Sequence, residues 1–363
     1  MKRAIAATIV FIIGIILTAM TFFATDVYQR DSVAIITDHR IKDEMVQKNK
    51  DVYGNVDYTH NQYFTIKVLS GKYKGKQYKV KNVYYSSQLV SQKYQPRQRI
   101  FVDIKNGQAA LVNPKRDWVL VLTLTLFLTL LTFILGKKSI LLVVSMVLSW
   151  IIFYGVILLD VKLNGSQIFL IFGTADIIFS FISLAIIQGI NKKMLATWFA
   201  TLLGVFVSFA ICYIIMKVTG ETEMRYETGD YATQDPRGLF MAQSILGILG
   251  AVMDEATDIV SSLYQLIKQK ADITAKEVIA SGRTMGQEIM GPLINVLVLI
   301  FMAEALPETI LYLRDNNTIS STFGFTLSLG ATQSIISAIG IVLTVIFATL
   351  CSLWFLKKEG DKA

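Results

Sequence analysis

Residues 118–135 read WVLVLTLTLFLTLLTFIL, an uninterrupted run without a charged side chain. A run of this length can cross a hydrocarbon core of about 30 Å as a helix. The helical form is required there, because lipid offers the backbone no other hydrogen-bond partners. The stretch therefore predicts a membrane-spanning helix and decides the class of the whole chain.

Seven further segments have the same character, and the overall composition agrees with them. Of the 363 residues, 53% are hydrophobic and 17% charged, and the mean hydropathy is +0.51. Soluble domains carry about 25% charged residues. We therefore predict an α-helical polytopic membrane protein with about eight transmembrane helices. The predicted spans are residues 4–23, 118–135, 140–159, 167–187, 194–216, 239–263, 289–306 and 328–356.

Basic residues cluster in alternate loops between these spans. The clusters are Lys2 and Arg3, Lys137 and Lys138, Lys192 and Lys193, the group from Lys268 to Arg283, and Lys357 and Lys358. Because Lys and Arg favour cytoplasmic loops, both termini are predicted to be cytoplasmic and residues 25–117 to lie outside the plasma membrane. Residues 1–24 are expected to be an uncleaved anchor, since the apolar stretch exceeds that of a signal peptide; a cleaved signal is the alternative.

The segment 25–117 differs from the rest because β-branched and aromatic residues alternate with polar ones there. This alternation is typical of strands with one buried face. Strands are expected at residues 32–41, 63–69, 76–83, 99–104 and 108–112, with the second and third forming a hairpin. We predict a small all-β domain, OB-like or another short barrel, inserted after the first helix. Residues 118–363 then form a seven-helix membrane domain.

The whole positive excess of the chain lies in this predicted β domain. It holds 17 Lys and Arg residues against 9 Asp and Glu, and the chain has a net charge of +8. A basic surface outside the membrane favours anionic headgroups or an anionic envelope polymer as partners rather than nucleic acid.

Cysteine and histidine usage argues against several kinds of site. Cys212 and Cys351 both fall inside predicted spans, which excludes a disulfide framework for the β domain and a CxxC site. His39 and His60 have no carboxylate or cysteine at ligand spacing. An aspartyl hydrolase would need Tyr-Asp and Gly-x-Gly-Asp sequences, which are missing. We therefore expect neither a cofactor nor an enzymatic activity, and the sequence leaves open whether a metal binds.

The sixth span carries a polar stripe. Gln243, Gly247, Gly250, Asp254, Asp258, Ser261 and Gln265 recur at steps of three and four residues and share one helical face. Glu255 flanks this face and Ser262 lies beside Ser261. A carboxylate in the centre of a membrane helix costs about 2.5–3.5 kcal/mol, so these residues are expected to face protein or water.

Three other spans show matching stripes. Asp176, Ser180 and Ser183 share a face of the fourth span, Glu288, Gly291 and Asn295 share a face of the seventh, and the eighth carries Gln333, Ser337, Gly340, Thr344, Ala348 and Cys351. Faces of this kind are expected to close on a common axis. For the small residues, helix packing is the simpler interpretation. For the carboxylates, ion, proton or substrate contact competes with structural hydrogen bonding or a shallower helix end.

The loop before the seventh span contains its own helix signals. Thr274 and Glu277 form the sequence pattern of a capping box, and Gly282 is a typical stop signal. We expect a short surface helix there, ending at Gly282. Pro292 lies near the start of the seventh span, where a broken, re-entrant segment is the alternative to a simple crossing.

Several motifs resemble those of one known family. They are GINKKMLAT at 189–197, GILGAVMD at 247–254 with Ser261 and Ser262 after it, SGRTMGQEIMG at 281–291 with Asn295 after it, and SGKYKG at 70–75. Together they resemble the YibE/F-like family of bacterial membrane proteins, and the outer hairpin is similar to its longer, YibE-like branch. The resemblance implies a homologous membrane partner that lacks the outer domain. It also implies that Asp254 and Asn295 occupy motif positions. Glu255 stands where an apolar residue is implied, and Asp176 matches no family motif.

These observations lead to two functional hypotheses. The first is a permease or transporter-like subunit with an acidic, polar-lined path through the membrane. Its candidate residues are Asp254, Asp258, Ser261, Ser262, Asp176, Asn295, Glu288 and Glu255. The second is a scaffold or receptor of the cell envelope that transports nothing and binds an anionic polymer or a protein through the β domain.

Overall fold

The computed structural model of the chain describes residues 2–25, 32–105, 107–163, 165, 167–221, 224–226, 235–270 and 272–360. The chain divides into two compact units, Met1–Ile140 and Leu141–Ala363. The first unit holds the β domain and the two helices that flank it in sequence. The second unit holds the remaining long helices.

Eight helices within the described residues are long and apolar enough to cross a membrane, which confirms the predicted number of such helices. In chain order, the long helices are α1 Lys2–Phe23, α2 Asp117–Leu135, α3 Lys138–Lys162, α4 Ile168–Gln188, α5 Lys192–Thr219, α6 Pro236–Gln269, α7 Ala275–Arg314 and α9 Ser328–Gly360. A short helix, α8 Ile319–Thr322, precedes α9. A π-helical segment, Phe323–Leu327, joins α8 to α9 without a break.

The β domain is a single antiparallel sheet between α1 and α2. Its strands are β1 Ser32–Ile36, β2 Lys42–Lys50, β3 Val56–Val68, β4 Gln77–Tyr85, β5 Arg99–Lys105 and β6 Gln108–Pro114. The order is β2-β3-β1-β5-β6, with β4 paired to β3. The predicted hairpin is confirmed as β3 and β4, in the register that places Phe64 opposite Val80. One face of the sheet buries an apolar core that includes Ile36, Ile66 and Ile100.

One strand prediction in this domain needs correction, and one strand was not predicted. The strand expected at 32–41 ends at Ile36, and a separate strand, β2, begins at Lys42. Strand β2 reads KDEMVQKNK and is almost entirely exposed, so it carries no alternation of apolar and polar residues. It is an edge strand held by β3, and its charged side chains are typical of edges that avoid pairing with other chains.

Within the first unit, α1 and α2 run antiparallel and in close contact. A Cβ atom at Gly14 would overlap the side chain of Thr125, so this glycine allows the two helices to approach. At one end Arg3 donates to the carbonyl oxygen of Ile134 at 3.4 Å. At the other end Arg99 and Lys115 of the β domain donate to carbonyl oxygens in the last turn of α1. Cations at this position complement the negative end of the helix dipole.

The core of the second unit is formed by α5, α6 and α9. Gly204 of α5 packs on Val252 of α6, where an added Cβ atom would lie 2.7 Å from Cγ1 of that valine. A Cβ atom added at Gly340 of α9 would lie 3.0 Å from the side chains of Ile248 and Val252. Small residues that let helix backbones approach are the ordinary packing device of membrane helices. The stripe on α9 is therefore a buried packing face.

Helix α7 differs from the prediction. The capping box is present, with Thr274 accepting from the Glu277 amide, but the helix passes Gly282, Pro292 and Pro307 and ends at Arg314. A Cβ atom at Gly282 would overlap Thr349 of α9. This glycine therefore allows close helix packing instead of ending the helix. Both the short surface helix and the re-entrant alternative are wrong.

Candidate functional site

Two carboxyl groups lie completely buried among the helices of the second unit. Asp176 is near the middle of α4 and Glu255 is near the middle of α6, and both residues are 0% exposed. All four of their carboxyl oxygens lack a hydrogen-bond partner among the described residues. A buried carboxylate without a partner is expensive, so the neutral form is the one that suits this packing.

Helix α5 fixes the depth of Asp176. Trp198 of α5 donates from Nε1 to Oγ of Ser180 at 3.1 Å. Gly173, at the other side of Asp176, faces the ring of Phe206 of α5, with 3.7 Å from an added Cβ atom to Cε1. The two helices are therefore antiparallel here. With a rise of 1.5 Å per residue, Asp176 lies about level with the middle of the 198–206 segment.

The same helix fixes the depth of Glu255. Gly204 packs on Val252, which precedes Glu255 by slightly less than one helical turn. Since α5 and α6 are antiparallel, Glu255 lies about level with Thr201. Asp176 and Glu255 thus occupy similar depths on two helices that both contact α5. Neither carboxyl group satisfies another polar group among the described residues, so hydrogen bonding within the fold does not explain why they are there.

The pattern of apolar residues on α6 also marks Glu255. Ile248, Val252, Glu255 and Ile259 follow one another at steps of four, three and four residues, and all four are fully buried. Glu255 therefore interrupts the apolar face of α6. A charged residue inside a packing stripe is a stronger indication of an unusual site than one on a polar stripe.

The predicted polar stripe of α6 faces away from the core of its own unit. Asp254 and Asp258 are exposed on the surface of the chain, and so are Gln243, Gly250 and Gln265. Ser261 and Ser262 are half-buried. The stripe is therefore available to water, to a second chain or to a cavity, whereas contact with acyl chains is opposed by the insertion cost of its carboxylates.

The predicted stripe of α7 is not brought to the same axis. Glu288, Gly291 and Asn295 are exposed, and α7 contacts α9 through Gly282 and Gly286 on another face. The expectation that four polar faces close on one axis is therefore not met within a single chain. Only the α4 and α9 stripes turn toward the core of the unit.

A cavity of about 540 Å³ opens between α6, α7 and the start of α9. Its polar lining includes Gln243, Glu304, Glu308, Thr326, Gln333, Ser334 and Ser337. Gln243 donates from Nε2 to Oε1 of Gln333 at 3.4 Å, which joins α6 to α9 across one wall. Of these residues, Glu304, Glu308 and Thr326 belong to none of the polar stripes identified in the sequence. Glu304 and Glu308 stand one turn apart, a spacing that would have indicated their shared face.

The connection between α5 and α6 covers one side of this cavity through Tyr226. The hydroxyl of Tyr226 donates to Oε2 of Glu221 at 2.7 Å, and Arg237 donates to Oε1 of the same residue at 2.5 Å. Burial raises the pKa of the Tyr226 phenol far above its usual range, and the bond to Glu221 adds to the effect. The phenol therefore stays protonated and holds this corner of the cavity in place.

Among the residues that the structure describes, no three His, Cys, Asp or Glu side chains are grouped so that they could hold a metal ion. Lys93, His60, Tyr84 and Asp43 do form a polar cluster in the β domain, with Lys93 Nζ 2.8 Å from Asp43 Oδ2. This cluster ties the edge strand β2 to the rest of the sheet.

Comparison with known proteins gives a clear family match. The family model described as YibE/F-like protein matches residues 123–358, and that of the YibE/F family N-terminal domain matches residues 26–113. No curated protein and no solved structure matches the chain. The first segment begins within α2 and extends into α9, and the second covers the β domain up to Asn113.

Proposed function

Because the chain belongs to the YibE/F-like family and buries two unpaired carboxyl groups in its helices, we propose that it is a permease or transporter-like subunit. The path would be acidic and polar and would cross the membrane beside α6. The observation that carries the proposal is the complete burial of Asp176 and Glu255 without hydrogen-bond partners. The proposal includes no enzymatic step and no cofactor.

The two buried carboxyl groups are the candidate proton-binding groups. A packed helix bundle gains nothing from a buried, unpaired carboxyl group, because an apolar side chain of similar volume would cost less. Asp176 and Glu255 lie at similar depths, and neither has a hydrogen-bond partner among the described residues that would offset the cost of burying its charge. In a second conformation that admits water or a cation, each group would release its proton. Such a change of partner is the usual basis of proton coupling in transporters.

The cavity between α6, α7 and α9 is the candidate entrance for the substrate. The cavity between α6, α7 and α9 has polar walls and a carboxylate, Glu304, on α7. Its wall residue Gln243 begins the α6 stripe that continues through Asp254 and Asp258. The cavity and the stripe therefore form one polar route along α6. Ser261 and Ser262 continue the route toward the other end of the helix.

The exposed polar residues of α6 and α7 leave one side of this route open within a single chain. Asp254 and Asp258 are exposed on the side of α6 that the rest of the unit leaves uncovered. Glu288 and Asn295 of α7 are exposed as well. We propose that a second membrane chain covers these residues, either a copy or a homologous partner without the β domain. The path would then run between two chains.

The orientation of the helices in the membrane is inferred from the helix ends at which basic residues cluster. Contacts within each unit support this orientation. Lys193 at the start of α5 lies 5.9 Å from the ring of Tyr264 near the end of α6. In the other unit, Arg3 lies at the Ile134 end of α2, opposite the β domain. We propose a plasma-membrane location with both termini cytoplasmic and residues 25–117 outside.

The β domain supports the second hypothesis, a scaffold or receptor role. We propose that it closes as a short, OB-like barrel. The support is Gln92, whose carbonyl accepts from Asn82 of β4 at 2.8 Å and whose Nε2 is 3.3 Å from Oδ1 of Asn113 of β6. A closed basic barrel would present its lysines to an anionic envelope polymer. Removal of residues 32–114 would abolish a scaffold function and leave some leak through a transport path.

The test of the transport proposal is uptake into proteoliposomes. Purified protein would be assayed with a panel of alkali ions, divalent metal ions and small anions, with internal pH followed by a trapped dye. Glu255→Gln and Asp176→Asn are expected to lower coupled uptake to the level of empty vesicles. Asp272→Asn, a surface carboxylate outside the long helices, is the matched control. Wild-type uptake by both core variants would contradict the proposal.

A further inference from the structure

A second cavity, distinct from the proposed path, lies in the first unit, where the β domain meets its two flanking helices. It has a volume of about 340 Å³ and lies where α1 ends and α2 begins. Its lining contains five cationic side chains and, among the described residues that form it, no Asp or Glu. The cations are Lys93, Arg97, Arg99, Lys115 and Arg116.

Two of these cations hold the β domain on the helices. The Lys115 side chain is only 1% exposed, and its Nζ lies 2.9 Å from Oδ1 of Asp117 and also donates to the Thr21 carbonyl. The Arg99 guanidinium lies 4.6 Å from the centre of the Phe22 ring. Burial lowers the pKa of Lys115, and the nearby charge of Arg99 lowers it further. The side chains of Lys115 and Arg99 therefore bring two positive charges near each other where the β domain meets the end of α1.

The other cations line the open side. Lys93 is 2.8 Å from Asp43, so its charge is balanced. Arg97 and Arg116 are exposed, and neither forms an ion pair with a carboxylate in the part of the chain that the structure describes. Arg97 Nη2 lies 3.1 Å from Nδ1 of His39, a contact that involves no carboxylate and leaves the other guanidinium donors available. Two guanidinium groups therefore face the cavity without a counter-charge.

Aromatic side chains mark the level of this cavity relative to a membrane. Phe22 in the last turn of α1 and Trp118 in the first turn of α2 pack edge to face, with 5.7 Å between ring centres. Both line the cavity. Tryptophan at the end of a spanning helix lies at the level of the lipid headgroups. The cationic cavity is therefore at the depth where phospholipid phosphates lie.

We propose that this cavity binds the headgroup of an anionic glycerophospholipid, with Arg97 and Arg116 as the residues that hold the phosphate. Guanidinium groups suit this role because their parallel N–H donors match two phosphate oxygens. Trp118 and Phe22 contact the glycerol and the first carbons of the acyl chains. A choline headgroup is disfavoured because its own cation would lie beside the guanidinium groups of Arg97 and Arg116.

The experiment uses the full chain in detergent, to which phosphatidylglycerol or phosphatidylcholine is added. Retained lipid is counted by native mass spectrometry. The wild type is expected to retain phosphatidylglycerol in preference to phosphatidylcholine. The double variant Arg97→Gln with Arg116→Gln is expected to lower phosphatidylglycerol affinity about tenfold, which corresponds to about 1.4 kcal/mol.

The matched control is Lys72→Gln with Lys79→Gln, which removes the same charge from exposed positions of the β domain outside the cavity. It is expected to bind lipid as the wild type does. Thermal unfolding of each variant shows that the fold is kept. Equal retention by the cavity variant and the control would overturn the proposal. Displacement of phosphatidylglycerol by inorganic phosphate would also overturn it, because the ligand would then be a soluble anion.

Discussion

Gly247 on α6 and Gln333 on α9 lie so close that a Cβ atom at Gly247 would overlap Nε2 of the glutamine side chain. The absence of a side chain at this glycine allows the Gln333 amide to reach Gln243 across the wall of the larger cavity. Gly250, one turn further along α6, has nothing within 4 Å of an added Cβ atom. The two glycines form a natural pair for comparison.

Gly247→Ala is expected to push the Gln333 amide into the cavity and to lower uptake, with little loss of stability because the displaced group is the end of a flexible side chain. Gly250→Ala is expected to leave uptake unchanged. It should also raise thermal stability, since alanine in a helix interior is favoured over glycine by about 1 kcal/mol. Uptake and thermal unfolding of both variants provide the measurement. Equal uptake by the two would show that the amide does not line the path.

Gly204→Ala is expected to destabilise the protein. The added methyl group would overlap Thr344 of α9 and approach Val252 of α6 to 2.7 Å, and all of these positions are buried. Overpacking of this kind costs about 1–3 kcal/mol. Gly291→Ala on α7, where an added Cβ meets nothing within 4 Å, is the control. Thermal unfolding in detergent separates them, and an unchanged midpoint for Gly204→Ala would contradict the packing of α5 on α6 and α9.

Glu255→Met and Asp176→Leu are each expected to stabilise the protein while they abolish coupled uptake. Both changes replace a buried, unpaired carboxyl with an apolar side chain of comparable volume, a substitution that is neutral or stabilising by about 1–4 kcal/mol in buried ion sites. A loss of stability in both variants would indicate that the carboxyls have structural partners. Circular dichroism during heating measures the effect without reference to transport.

The labelling of introduced cysteines tests which side of α6 faces water or a partner. In a background with Cys212→Ala and Cys351→Ala, Asp258→Cys is expected to react with a water-soluble maleimide. Glu255→Cys is expected to stay unmodified, because its position is buried. If Asp258→Cys is unreactive and a label there reports acyl chains, the polar route along α6 is wrong.

Asp43 gives the β domain a defined pH dependence. Partial burial raises the pKa of its carboxyl, but hydrogen bonds from Lys93 and Tyr84 and the charge of Lys93 outweigh this, so the pKa is lowered overall. The unfolded-state value is about 3.9. The carboxylate therefore contributes stability above about pH 4. That contribution is lost as the pH falls through the lower, folded-state value.

Asp43→Asn is consequently expected to lower the unfolding midpoint of the full chain at pH 7 by an amount that reflects about 1 kcal/mol, because the group is near the surface. The difference from the wild type should vanish in acid. Lys42→Gln, at an exposed neighbour whose ion pair is with Glu44, is the control. A difference that grows as the pH falls would have the wrong sign and would exclude this origin.

The sequence predicted the helices well because a membrane-spanning segment needs only length and apolarity, both of which are local properties. The hairpin of β3 and β4 was predictable for the same reason. Strand β2 was not, because an edge strand exposed on both faces carries no alternation. Gly282 was misinterpreted because the same residue type that ends a helix also lets two helices touch, and only the position of Thr349 distinguishes them.

The candidate site was predictable in part. The sequence identified the carboxyl-bearing helices, but the direction in which a stripe points depends on which neighbours cover the helix. Asp254 and Asp258 share the polar stripe, while Glu255 lies one residue away and about 100° around the helix, a rotation that takes it to the packed face. Contacts with α5 and α9 decide that face, and they are non-local in sequence.

The π-helical segment Phe323–Leu327 has a consequence for the larger cavity. It holds one residue more than an α-helical turn, so the faces of α8 and α9 are out of phase with each other. Thr326 lies in this segment, lines the cavity, and is 3.1 Å from the hydroxyl of Thr309 on α7. Migration of the extra residue by one position along the helix would rotate Thr326 by about 100° while every turn keeps a hydrogen bond. One wall residue of the cavity could therefore be rotated by a shift of the π-helical segment, while the helix stays continuous.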